Sequence, residues 1–99
     1  MLSHHKQDRG ILSYVEFRDL KFHPKRMYLI HGVPKGEIRG HHAHKEDQQY
    51  LTCVEGKIRV KLISKDETVE TILTTGESIF MDKNVWGEQE YLTGKDVLL

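Results

Sequence analysis

The chain has 99 residues, enough for one domain and too few for two. Fifteen Lys and Arg balance fifteen Asp and Glu, so there is no electrostatic footprint for a nucleic acid and no basic patch for an anionic membrane. Hydrophobic residues make up 37%, a thin supply against about 45–50% for an average globular chain, which favours a dimer that buries further apolar surface.

Residues 1–7 (Met1-Leu2-Ser3-His4-His5-Lys6-Gln7) lack the apolar stretch of a secretory signal and are expected to fray. Cys53 is the single cysteine, which rules out an intrachain disulfide and favours a reducing cytoplasm. Strands are then expected over Ile11–Glu16, Arg26–Ile30, Gln49–Val54, Lys57–Ile63, Thr68–Thr74, Ser78–Met81, Val85–Leu92 and Val97–Leu99. The clearest signal is Lys57–Ile63, where Ile58, Val60 and Leu62 alternate with charged residues after the Glu55-Gly56 turn. No segment carries apolar residues at helical spacing over three turns, and Gly-bearing turns recur about every ten residues. That pattern predicts a single all-β domain, a sandwich or small barrel.

Seven histidines are many for this length, and His41, His42 and His44 crowd into four positions. In an extended strand His42 and His44 share a face while Ala43 points away. Such a pair could supply two metal ligands or two proton-transfer groups; an isolated pair of this kind is also found exposed and idle.

The wider spacing decides between them. Gly36, five residues, His42-Ala43-His44, four residues, Gln49, six residues and Gly56 together resemble the first motif of the cupin superfamily. That resemblance implies a small β-barrel of jelly-roll type. Cupins place a Glu where this chain has Gln49, and counting on from Gly76 puts Gly87 where a further ligand His would stand. Two of four ligands are missing, so a metal-free site with no cofactor is expected, and His42 and His44 are left with general acid–base work.

Arg39-Gly40-His41-His42-Ala43-His44-Lys45 further resembles the R-G-x-H-A-H-K stretch of the dTDP-sugar 3,4-ketoisomerases, a cupin branch. Arg9-Gly10-Ile11-Leu12, Phe22 with Lys25-Arg26-Met27-Tyr28, Gln49 with Leu51, Cys53 and Gly56, Trp86, and Val97-Leu98-Leu99 are similar to further pieces of that family in the same order. The likeness extends over about residues 8–99, taken as the cupin domain; family members continue beyond the position of Leu99, so the last strand and a terminal helical segment are expected to be cut short. The resemblance implies conversion of dTDP-4-keto-6-deoxyglucose to a 3-keto isomer through an enediol, for deoxyaminosugar and surface-polysaccharide synthesis. It implies His42 as the base at C3, His44 as its assistant, and Tyr28 and Arg39 as groups that polarise the enediolate. Arg9, Arg26, Lys45, Gln49 and Trp86 are the implied substrate contacts, with Trp86 equally readable as core. A cytoplasmic homodimer, with an N-terminal strand exchanged between subunits, is also implied. The competing readings are a sugar-nucleotide-binding cupin without turnover, and a metal-dependent cupin that recruits Glu46 or Glu90.

Overall fold

Alternation along Lys57–Ile63 fixes the centre of the fold. In the computed structural model, which describes residues 2–43 and 47–99, this segment is strand β5, and Ile58, Val60 and Leu62 are buried on one face. The other strands are β1 (Leu2–Gln7), β2 (Gly10–Val15), β3 (Ile38–Ala43), β4 (Gln49–Glu55), β6 (Thr68–Thr74), β7 (Ser78–Met81), β8 (Trp86–Tyr91) and β9 (Val97–Leu98). One short 3₁₀ turn, Phe17–Asp19, is the helical piece among the described residues.

A four-stranded sheet ordered β3-β8-β5-β6 faces a three-stranded sheet ordered β7-β4-β9. Leu51 and Cys53 from β4, Met81 from β7 and Leu98 from β9 meet Ile58, Val60 and Leu62 of β5, Leu73 of β6 and Tyr91 of β8 between them. Burial of each large aliphatic side chain of this set contributes about 1.5–3 kcal/mol. The all-β expectation holds, in a cupin-type sandwich.

Three segments differ from the sequence reading. Residues 2–7, expected to fray, form β1, which pairs along its whole length with β2; a two-residue turn at Asp8-Arg9 sets the register, and the His4 ring meets Ser13 Oγ at 2.7 Å. Arg26–Ile30, expected as a strand, keeps only Ile30 in a ladder, as a bridge to Leu98. Met27, Tyr28 and Leu29 remain well exposed, because no neighbouring strand offers them an edge. β3 carries a bulge between Gly40 and His42, which period-2 alternation alone does not foresee.

One buried carboxylate ties the far turns together. Asp96, 1% exposed, accepts hydrogen bonds from Lys57 N at 2.8 Å, Thr93 N at 2.9 Å and Thr93 Oγ1 at 2.7 Å. Gly56 turns there with φ of +93°, and a Cβ at that position would overlap Asp96 Oδ1. Only glycine suits that turn.

Candidate active site

The bulge in β3 determines what the site can present. Gly40 (φ +98°) and His41 (φ +57°) both lie in left-handed backbone conformations. A Cβ on Gly40 would come within 2.6 Å of the Gly87 carbonyl oxygen, so glycine lets β3 close onto β8. The extra residue shifts the register: Arg39 stands opposite Gln89, and His42 opposite Gly87. Without the bulge, residues 39 and 42 would belong to opposite faces of the strand. With it, both are registered to buried positions of β8, whose burial alternates through Gly87, Gln89 and Tyr91.

His41 takes the other side. Its ring is 3.9 Å from Glu88 Oε1 and 6.2 Å, between centroids, from Trp86. Trp86 donates its indole N–H to Glu88 Oε1 at 3.0 Å and stands opposite Ile63 and Ala43. It therefore shares the outer face of the sheet with Glu88 and Glu90, away from the row of Gln89 and Tyr91. On that face Arg59 pairs with Glu90 at 2.9 Å, which engages the carboxylate that a metal-dependent reading would recruit.

A cavity of about 710 Å³ brings three of the expected contacts together: Arg26, Tyr28 and Gln49 line it, with Tyr50, Leu51 and Leu98. The Arg26 guanidinium lies 5.7 Å above the Tyr28 ring, an attractive cation–π placement. Gln49 sits in β4 opposite the buried Met81. Arg39 opens instead into a shallower recess with His31, Val33 and Glu37. Arg9 occupies the β1–β2 turn and lines neither cavity. His44, Lys45 and Glu46 lie outside the described residues, and His42 is located by its backbone register.

Two residues that sequence reasoning did not single out belong to the same region. Gln89 is buried, and its carboxamide atoms lie 3.1 and 3.3 Å from where a Cβ of Gly40 would be. Tyr91 is fully buried; its hydroxyl has no hydrogen-bond partner among the described residues. Its phenol is pushed up to about 12, chiefly by burial, with the Arg39 cation opposing and Asp96 and Tyr28 adding to the rise. The alternation of Val85–Leu92 could have marked both as inward-facing.

The metal-ligand set of a cupin does not fit these residues. Gln49 offers a neutral amide where a carboxylate would be needed, and at Gly87 a Cβ would lie 2.9 Å from Met81 Sδ, so the thioether occupies the room a histidine would take.

Comparison with known proteins places this arrangement. The family model described as WxcM-like, C-terminal, matches residues 1–99. The chain belongs to this family. Among relatives, the TDP-4-oxo-6-deoxy-alpha-D-glucose-3,4-oxoisomerase of Aneurinibacillus thermoaerophilus is 29% identical over 91 residues, covering 91% of this chain and 66% of its own length. The chain thus spans just under two thirds of that family member. A sugar 3,4-ketoisomerase from Thermoanaerobacterium thermosaccharolyticum, crystallised with TDP, superposes with a TM-score of 0.88 at 30% identity, over 98% of this chain and 72% of the other. An asparagine-for-histidine variant of the same enzyme holds TDP-4-keto-6-deoxyglucose. The 3,4-ketoisomerase of Helicobacter canadensis superposes equally well, TM-score 0.88 at 28% identity, over 98% of this chain and 74% of that one. A dTDP-4-dehydrorhamnose 3,5-epimerase from Elizabethkingia anophelis shares the fold at 13% identity and a TM-score of 0.77. The family's structures thus carry the same sandwich, as the cupin resemblance implied.

Proposed function

We propose that the chain is a metal-independent 3,4-ketoisomerase acting on TDP-4-keto-6-deoxyglucose. The observation that carries this reading is the superposition, over 98% of the chain, on a ketoisomerase crystallised with TDP. The β3 bulge supports it, since it registers Arg39 and His42 to adjacent inner-face positions of β8.

In this mechanism His42 takes the C3 proton of the 4-keto sugar. The C3–C4 bond gains double-bond character and the negative charge collects on O4. His44 delivers a proton to C4, and the proton on O3 passes to O4, leaving the keto group at C3. No atom or electron is gained or lost. Tyr28 and Arg39, which line separate recesses of the isolated chain, are the groups this reading assigns to stabilising the enediolate, because donors placed at developing charge supply a large share of catalysis. Arg26, Lys45 and Gln49 bind the substrate, and Arg26 suits a diphosphate because guanidinium groups meet phosphate oxygens bidentately. Trp86 is held on the outer face by Glu88 and lines neither cavity. Neutral Gln49 and the glycine at position 87 support a reaction that needs no metal.

The working unit in this reading is a homodimer with an exchanged N-terminal strand. The β1–β2 hairpin supports it: Ile11 and Leu12 are each 62% exposed and Tyr14 is 48% exposed, an apolar surface that a second subunit would cover. The same exchange would give Arg9 a site to serve in the other subunit. No helix among the described residues is long and apolar enough to cross a membrane; with one buried unpaired cysteine, a cytoplasmic site of action suits the chain.

Incubation with TDP-4-keto-6-deoxyglucose in heavy water, followed by NMR, tests the proposal. Deuterium is expected at C3 and C4, and His42→Asn is expected to abolish exchange. Activity that survives exhaustive chelation is also expected. Saturable TDP binding without any exchange would instead identify a non-catalytic binding cupin.

A further inference from the structure

Arg26 and Tyr28 reach the larger cavity from a stretch of chain that has no ladder of its own. Residues 23–29 lie in neither strand nor helix, and Met27, Tyr28 and Leu29 are all well exposed. The position of this arm is therefore set by its two ends. Downstream, Ile30 and Leu98 exchange backbone hydrogen bonds of 2.8 and 2.9 Å. Upstream, the last residue in a ladder is Val15, and an aromatic clasp takes over where that ladder stops.

The clasp is built on Tyr50 of β4. The Phe22 ring stacks on it, with centroids 5.5 Å apart and planes 18° from parallel, and Phe80 of β7 meets it at 5.1 Å. Lys21 N donates to the Tyr50 hydroxyl at 3.2 Å, and the Lys21 ammonium lies 4.4 Å from the Phe80 ring centroid. Such ring pairs attract beyond the area they bury. Tyr50 and Phe80 are opposite one another in the β4–β7 ladder, so the clasp has a rigid base. Phe22 and Tyr50 also line the same cavity as Arg26, Tyr28 and Gln49.

We propose that Tyr50 is a positioning residue: its clasp on Phe22 holds the arm so that Arg26 and Tyr28 stand at the substrate cavity. The part that concerns substrate rests on the ketoisomerase reading. With the clasp closed, the span between tethers is residues 23–29; with it open, the span is residues 16–29, twice as long. Doubling a loop lowers the ordered population about threefold, and loss of the ring contacts brings the fall to about tenfold. A ligand that needs the arm in place loses affinity by the same factor.

Tyr50→Leu, Phe22→Leu and Tyr50→Phe test this on the full chain, with thermal unfolding to show that each folds. Limited trypsin digestion reads the arm without any ligand. Cleavage after Lys25 and Arg26 is expected to rise about tenfold in the two leucine variants and to stay near wild type in Tyr50→Phe, which keeps the stack. Cleavage at Lys65, exposed in a distant turn, is expected to stay level in all three. Calorimetry with TDP reads the coupling. Tyr50→Leu is expected to weaken binding about tenfold in the wild-type background and less than about twofold beside Arg26→Ala, because a residue that acts through Arg26 then has nothing left to position. Should Tyr50→Leu fail to fold, Phe22→Leu, which opens the clasp from the arm's side, carries the same measurements. Unchanged cleavage after Lys25 and Arg26, or an equal rise at Lys65, overturns the clasp. A loss of TDP affinity as large beside Arg26→Ala as without it overturns the positioning role in favour of direct contact. A wild-type chain that does not bind TDP overturns the ketoisomerase reading, and the clasp then stands or falls on the digestion alone.

Discussion

Loss of the Asp96 carboxylate is expected to cost the fold more than any surface charge. The group is buried and accepts three hydrogen bonds from Lys57 N, Thr93 N and Thr93 Oγ1. Burial pushes its ionisation upward, but the Thr93 hydroxyl and the Thr93, Lys57 and Gly94 backbone amides outweigh it and hold the carboxyl below its ordinary value. Asp96→Ala leaves two amide donors at the β4–β5 and β8–β9 turns without their acceptor, at about 1–3 kcal/mol each, for a net loss of about 2–4 kcal/mol. Asp96→Asn keeps one acceptor oxygen and should lose about half as much. Because the folded-state value lies below the unfolded one, the stabilisation is present in full above the unfolded carboxyl range, near pH 4. It fades as pH falls through the folded value. Urea unfolding at a series of pH values measures it: the gap between wild type and Asp96→Asn should be level from pH 7 to about 5 and narrow in acid. A gap under about 0.5 kcal/mol at pH 7, or one that does not narrow in acid, would refute the account of Asp96 as a charged latch.

Two further outcomes follow from the packing. Cys53 is fully buried, and burial, followed by the nearby Asp96 and Glu77 charges, pushes its thiol up to about 11; a thiol reagent at pH 8 should label it no faster than the protein unfolds, and rapid labelling of folded protein would contradict this. Gly87→His restores the residue that a metal cupin carries, but its side chain must displace Met81, buried at 3% exposure. That overpacking should cost about 1–3 kcal/mol without creating a tight site, so calorimetry that showed stoichiometric tight zinc binding by a folded variant would reverse the explanation for the missing ligand.

What was legible in the sequence depended on how local the cause was. Lys57–Ile63, Thr68–Thr74 and Ser78–Met81 fall where alternation and glycine turns place them, since side-chain period and burial agree there. Arg26–Ile30 has the same β-forming composition, but a strand needs an edge, and only Ile30 meets one; which edges are open is settled by the whole topology. The N-terminal hairpin escaped notice for the opposite reason. Ser3–Gln7 is polar and has no buried residue, and the ladder of Leu2–Gln7 to β2 supplies the order that its composition does not suggest. Tyr91 and Gln89 could be read as inward-facing, but nothing local distinguishes a core tyrosine from one whose oxygen lacks a partner.

The histidine stretch shows how a periodic pattern can miss the geometry of the residues it singles out. Simple alternation pairs His42 with His44 and would put Arg39 on the opposite face. The bulge at Gly40-His41 breaks that parity between residues 39 and 42, and it depends on Gly40 tolerating φ of +98° and an approach to the Gly87 carbonyl that no Cβ allows. Gly40, registered to Glu88, approaches the Gly87 carbonyl and lets the strands close, and Gly87, registered to His42, leaves room for Met81 where a metal ligand would otherwise stand. The register of Arg39 thus follows from the close contact between β3 and β8, while the missing ligand at position 87 goes with the packing of Met81 from β7. In the proposed mechanism, an arginine registered one inner-face position from His42 would supply the positive charge that an enediolate needs from a chain of zero net charge.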